Sequence, residues 1–147
     1  MRTMFFKATV VAMLLSVSTL ATAQEASVYS EGPVVDVSYI KIKPGMFEAY
    51  MKWVATDRKT YMEELKKAGI ILDWRVYGAQ ARSPSDPDLI LTVTYRNMAA
   101  FDGLEAKTNP IMARLAGSMQ KANEMVISRE AMREVLGGQL IRELVIK

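Results

Sequence analysis

The chain has 147 residues, half of them hydrophobic and 24% charged, with a formal net charge of +3, no cysteine and no histidine. Those two absences exclude a disulfide scaffold, a thiolate nucleophile, Cys or His metal sites and every Ser-His or Cys-His catalytic pair. Most zinc and haem ligation goes with them.

Residues 1–7 carry Arg2 and Lys7 and no acid. Ala8 to Leu15 is a short apolar run, Ser16, Ser18 and Thr19 dilute it, and Ala21-Thr22-Ala23 ends the segment. A basic start, a short apolar stretch and an A-x-A site predict a secretory signal peptide over residues 1–23, cleaved near Ala23. The apolar stretch is shorter than the roughly 20 residues of a spanning helix, so no stable membrane anchor is expected after cleavage. The expected location is exported, periplasmic or extracellular. Loss of Arg2 and Lys7 removes two of the three net positive charges. A near-neutral remainder has no electrostatic footprint for nucleic acid.

Residues 24–33 read as a flexible lead-in, and 34–147 as one domain. Val34 to Ile42 is β-branched and roughly alternating, a first strand, closed by the turn Lys43-Pro44-Gly45. Met46 to Ala68 reads as a helix, with Phe47, Tyr50, Met51, Val54, Tyr61, Met62 and Leu65 at spacings of three, four and seven. Lys66 and Lys67 before Gly69 give its stop signal. Ile70 to Ala79 is the second strand, residues 82–88 a loop with two prolines, and Leu89 to Tyr95 the third strand, antiparallel to the second. Asn97 opens a short helix to Leu104. Asn109-Pro110 reads as the start of another helix to about Val126. Ser128 caps a further turn that ends at Gly137-Gly138, and Gln139 to Ile146 is the last strand.

The order strand, helix, strand, strand, helices, strand predicts an α+β fold, the ferredoxin-like βαββαβ arrangement: a four-stranded antiparallel sheet with helices on one face. Val34, Ile40, Ile71, Ile90, Ile141 and Val145 are expected on the other face, where they form an apolar patch. A second copy is the economical cover, giving a homodimer with sheet against sheet.

Polar residues on the strands are the first candidates for a site: Asp36, Ser38, Tyr39, Asp73, Arg75, Tyr77, Thr92, Thr94, Arg142 and Glu143. An acid, an arginine and a tyrosine converging in an apolar cavity orient a small acidic or phenolic ligand. A buried Asp73 would have a raised pKa and act as a base, whereas the plainer reading pairs it with Arg75 on a wet sheet face. Trp53, Trp74 and Asn97 form a second set, although Trp74, on one face with Ile70, Leu72 and Val76, reads first as core. The methionines are spread as gap-fillers rather than as a copper site, and Asp86-Pro87-Asp88 reads as turn chemistry rather than a calcium loop. No metal and no cofactor is expected.

Residues 35–45 (Val-Asp-Val-Ser-Tyr-Ile-Lys-Ile-Lys-Pro-Gly) run straight into Phe47-Glu48-Ala49-Tyr50, and Asp88 to Tyr95 runs into Asn97-Met98-Ala99-Ala100-Phe101. These strand-to-helix steps resemble the dimeric α/β-barrel superfamily, in its NIPSNAP-like or antibiotic-biosynthesis-monooxygenase-like branch. The resemblance implies a sheet-to-sheet dimer. It also implies, for the monooxygenase-like branch, cofactor-free chemistry in which Asn and Trp hold a phenolic substrate; no residue here aligns with that site. Haem-dependent members use a histidine on iron, which this chain lacks. The functional expectation is binding of a small apolar or aromatic molecule between helices and sheet. A cofactor-independent monooxygenase or isomerase and a ligand-free structural dimer are the alternatives.

Overall fold

A computed structural model describes residues 27–147. The expected signal segment and the first residues of the expected lead-in lie outside them. The elements in chain order are β1 (Tyr29–Ile42), α1 (Phe47–Trp53), a π-helical segment (Val54–Arg58), α2 (Lys59–Lys67), β2 (Asp73–Gly78), β3 (Leu89–Tyr95), a 3₁₀ turn (Met98–Phe101), α3 (Leu104–Ala116), α4 (Met119–Glu130) and β4 (Arg133–Ile146). The sheet order is β2-β3-β1-β4 with every pair antiparallel. This is the ferredoxin-like α+β fold.

Several boundaries differ from the sequence reading, each for a physical reason. Residues 29–33, read as lead-in, are strand, because β4 is long enough to pair with them from Tyr29 to Glu31. The register shifts between Glu31 and Val34, where Pro33 brings no N–H to a ladder and sits at a bulge. Asn109-Pro110 does not start a helix. Gly103, at φ 62, caps α3, and Pro110 lies inside it, so the Ala106 carbonyl loses the donor that residue 110 would otherwise supply. Gly117, at φ 87, then ends α3, and Ser118 caps α4 by accepting from the Lys121 N–H at 3.1 Å. Gly137-Gly138 does not end a helix but lies inside β4. Gly137 sits at φ 149 beside a register shift, and a Cβ on Gly138 would stand 2.7 Å from the Val37 carbonyl oxygen. Glycine is therefore needed for the close approach of β4 to β1.

The register fixes the two faces of the sheet, because directly paired residues share a face. One set of rows runs Trp74–Val93–Asp36–Leu140 and Val76–Leu91–Ser38–Gly138. The helices pack here. Ile40, Leu89 and Leu91 form a buried cluster with Tyr50 and Val54, and Val93 and Tyr95 form a second with Met62, Leu65 and Ile71. Val34, Ile40 and Ile71, expected on the uncovered face, are therefore core residues on the helix side, each at most 2% exposed. The opposite rows are Asp73–Thr94–Val35–Ile141, Arg75–Thr92–Val37–Gln139 and Tyr77–Ile90–Tyr39–Gly137. Of the six apolar residues assigned to the open face, Ile90 and Ile141 lie in these rows, and Val145 pairs with Ser30 beyond them.

Candidate functional site

The two apolar clusters leave a polar seam between them. On the sheet it is marked by Asp36, whose neighbours across the register are Val93 and Leu140. On the helical layer it is marked by Arg58. Val54 belongs to the first cluster and Met62 to the second, so the Val54, Arg58, Met62 stripe carries its arginine over the junction. Residues about four apart lie on one helix face, and Arg58 is the last residue of the π-helical segment between α1 and α2.

Two more arginines approach from the second half of the chain. Arg129, near the end of α4, lies 5.2 Å from the Trp53 ring centre. Arg133, the first residue of β4, sits 5.9 Å from the Tyr50 ring centre and donates to the Tyr50 hydroxyl at 3.3 Å. Glu130 serves both: it accepts from Arg133 at 2.9 Å, and Arg129 Nε lies 3.5 Å away without a hydrogen bond. Arg58 has no such carboxylate, and its Nε is buried with no hydrogen-bond partner among the described residues.

The electrostatics follow from this crowding. Burial lowers the Arg58 pKa most; Tyr50 and Asp36 favour its charge, while Arg129 and Arg133 repel it. Burial likewise lowers that of Arg129, with Arg133 adding repulsion. The Asp36 carboxyl is raised above its ordinary value by burial, with Arg58 opposing the shift. Tyr95 is raised by burial and by the Asp36 and Tyr61 charges. Burial also raises Tyr61.

A cavity of about 100 Å³ opens between the two helical halves beside this cluster, lined by Trp53, Arg58, Tyr61, Met112, Met125 and Arg129 among others. A second cleft of about 110 Å³ adjoins it and shares Asp57, Tyr61, Met112 and Met125. Together they make an apolar, aromatic groove with guanidinium groups at one end. A wide, shallow depression near Ala68 and Asn97 is larger but open to solvent, with Arg96 and Lys107 at its margin.

The candidates read from the strands separate cleanly. Asp73, Arg75, Tyr77, Thr92, Thr94 and Tyr39 come together on the open sheet face. There Asp73 pairs with Lys66 at 3.1 Å and Arg75 at 2.8 Å, and the Tyr39 hydroxyl donates to Gln139 at 3.2 Å. The Lys66 hydrogen bond is the largest of the causes that hold the Asp73 carboxyl below its ordinary range, so Asp73 has the electrostatics of an ion-pair partner and not of a raised-pKa base. Trp74 points to the helix side, where it packs against the second cluster and its Nε1 donates to Glu63 at 2.8 Å. Asn97 lies exposed beyond β3, in the shallow depression. Arg142 faces the helix side opposite Val34 and pairs with Glu31, whereas Glu143 packs against Gly32. Asp86 accepts from the Arg82 and Ser83 N–H groups at 2.8 and 2.9 Å, and Asp88 from the Ile42 N–H and Lys41 at 2.8 and 3.1 Å, so both staple the loop. Among the described residues no group of three or more acidic side chains is placed to hold a metal ion.

Arg58, Arg129 and Arg133 were not singled out by the sequence reading. The available signal was the gap in the helical stripe between Val54 and Tyr61, where an arginine occupies a position that periodicity assigns to the core.

No family model and no curated protein matches the chain. Among solved structures, HapK from Hahella chejuensis is similar in fold, with a TM-score of 0.52 at 16% identity over 75% of this chain and 91% of that one. A dimeric ferredoxin-like protein from an uncultured marine organism gives a TM-score of 0.51 at 14% identity, over 80% of this chain and 98% of that one. At these identities the likeness is one of fold.

Proposed function

We propose that the protein is an exported homodimer that binds a small molecule with an apolar or aromatic body in the groove between its two helical halves. The observation that carries this is the groove itself: aromatic and methionine walls with a few convergent polar groups at one end are the usual make-up of a ligand site. Each cleft is small, so the ligand has few heavy atoms or enters with side-chain movement. The dimer reading rests on the open sheet face, where Ile141 is 49% exposed and Val145 45%, and on β4 being an unpaired sheet edge. The dimeric state stated for one of the similar structures supports it.

A second reading, a cofactor-independent enzyme, is favoured by one feature. Asp36 is a half-buried acid with a raised pKa, next in charge to Tyr95 and Arg58, which is the make-up of a general base or acid. Native mass spectrometry of the protein recovered without refolding from the exported fraction tests both the location and the binding. A dimer beginning near Gln24 with a retained small-molecule adduct is the expected result. A monomer without adduct in the presence of host extract refutes the assignment.

A further inference from the structure

Arg58 and Arg129 line the groove's polar end, and one carboxylate, Glu130, serves Arg129 and the neighbouring Arg133. Three guanidinium groups are drawn together by separate elements: Arg58 from the π-helical segment, Arg129 from α4 and Arg133 from β4. A guanidinium partly withdrawn from water without a carboxylate partner carries a desolvation cost, and like charges nearby add to it. Glu130 compensates Arg133 and approaches Arg129, Asp36 faces Arg58 only at longer range, and Asp57, which lines both clefts, is exposed to solvent and paired with none of the three. The Nε atoms of all three are buried without a hydrogen-bond partner among the described residues, but Arg58 alone of the three has no carboxylate in ion-pair reach among those residues, and its side chain lies on the groove wall.

Resting on the small-molecule reading above, we propose that the ligand is a small monocarboxylate, its carboxylate held by Arg58 and Arg129 and its apolar or aromatic body lying against Trp53, Tyr61, Met112 and Met125. A planar guanidinium offers parallel N–H donors that match a carboxylate's two oxygens, a fit a lysine cannot reproduce. Trp53 sits beneath Arg129, so an aromatic ring entering the groove meets a stacked guanidinium and indole. The bound carboxylate supplies the negative charge that Glu130 does not extend to Arg58.

Isothermal titration of the full-length expression product tests this with benzoate, its neutral analogue benzyl alcohol, and inorganic phosphate. Benzoate is expected to bind at least about tenfold more tightly than benzyl alcohol, the difference one charge-assisted hydrogen bond makes. Phosphate alone, lacking the apolar body, is expected to bind more weakly than benzoate. Arg58→Met should abolish the preference for benzoate while leaving the melting temperature no lower, and Arg58→Lys, which keeps the charge, should weaken benzoate by about tenfold. Equal binding of benzoate and benzyl alcohol overturns the carboxylate assignment and leaves the small-molecule reading standing. Failure of both probes overturns the two together. Unchanged benzoate binding in a folded Arg58→Met protein overturns the role of Arg58, and tighter binding of phosphate reassigns the head group.

Discussion

Replacing Ile141 tests the proposed dimer and its placement on the open sheet face. Ile141 sits in the row Asp73–Thr94–Val35–Ile141, and half of its surface is already covered within one chain, since it is 49% exposed. Fully burying an isoleucine side chain stabilises by about 1.5–3 kcal/mol, so covering the exposed half contributes about 1 kcal/mol per copy. A two-fold interface counts every residue twice, which gives about 2 kcal/mol per dimer and about a 30-fold rise in the dissociation constant for Ile141→Ala. Ile141→Lys adds a desolvated ammonium with no assigned partner, a further cost of several kcal/mol, and should leave a folded monomer at micromolar concentration. Sedimentation equilibrium measures both constants, with far-UV circular dichroism confirming that the variants fold. Leu144→Lys is the control: Leu144 is 53% exposed and lies on the other side of β4, in the alternate set with Leu140 and Arg142. If Leu144→Lys dissociates the dimer and Ile141→Lys does not, the partner sits against the helix-side flank of β4 and the reasoning from the open face is refuted.

Arg58→Met should raise stability to urea by about 1 kcal/mol, because a partly buried guanidinium with no carboxylate in ion-pair reach among the described residues is exchanged for an apolar side chain of similar length; a loss of more than about 2 kcal/mol would instead make Arg58 and Asp36 a structural ion pair. Gly138→Ala should destabilise by about 1–3 kcal/mol with an unchanged denaturant slope, since the new Cβ meets the Val37 carbonyl and backbone must move. Asp36 carries a raised pKa, so the native state holds its proton to higher pH than the unfolded chain. Stability is lost as pH rises from the ordinary carboxylate range through the folded value, and Asp36→Asn should be the more stable protein at neutral pH, with the difference vanishing below about pH 4. Asp88 has the opposite sign: the Ile42 N–H and Lys41 hold its carboxyl below the ordinary range, so its contribution is present above that range and lost as pH falls through the folded value. Urea titrations of Asp88→Asn at pH 7 and pH 3 should show the variant's deficit shrinking at the lower pH.

Local chemistry settled much of the fold before any packing was considered. β3 spans Leu89 to Tyr95 in both readings, because its alternation is bounded by a proline-rich loop and Arg96-Asn97. The first long helix ends where Lys66, Lys67 and Gly69 placed its stop, with Gly69 at φ 70. The element order followed from these periodicities, and it selects the ferredoxin-like sheet. What sequence could not choose was the side. Alternation says that Val34 and Ile40 differ from Val35 and Tyr39, but only the docking of Tyr50, Val54, Met62 and Leu65 decides which set becomes core. The same limit applies to Gly137-Gly138, whose composition suits a helix stop as well as a bulge until β1 comes within reach. Arg58, Arg129 and Arg133 lie 71 and 4 positions apart along the chain, and nothing local links the first to the others. Their meeting is a product of tertiary packing: two helical halves folded onto one face of the sheet bring three like charges together, two of them on the wall of one groove, a juxtaposition that no helical or strand period encodes.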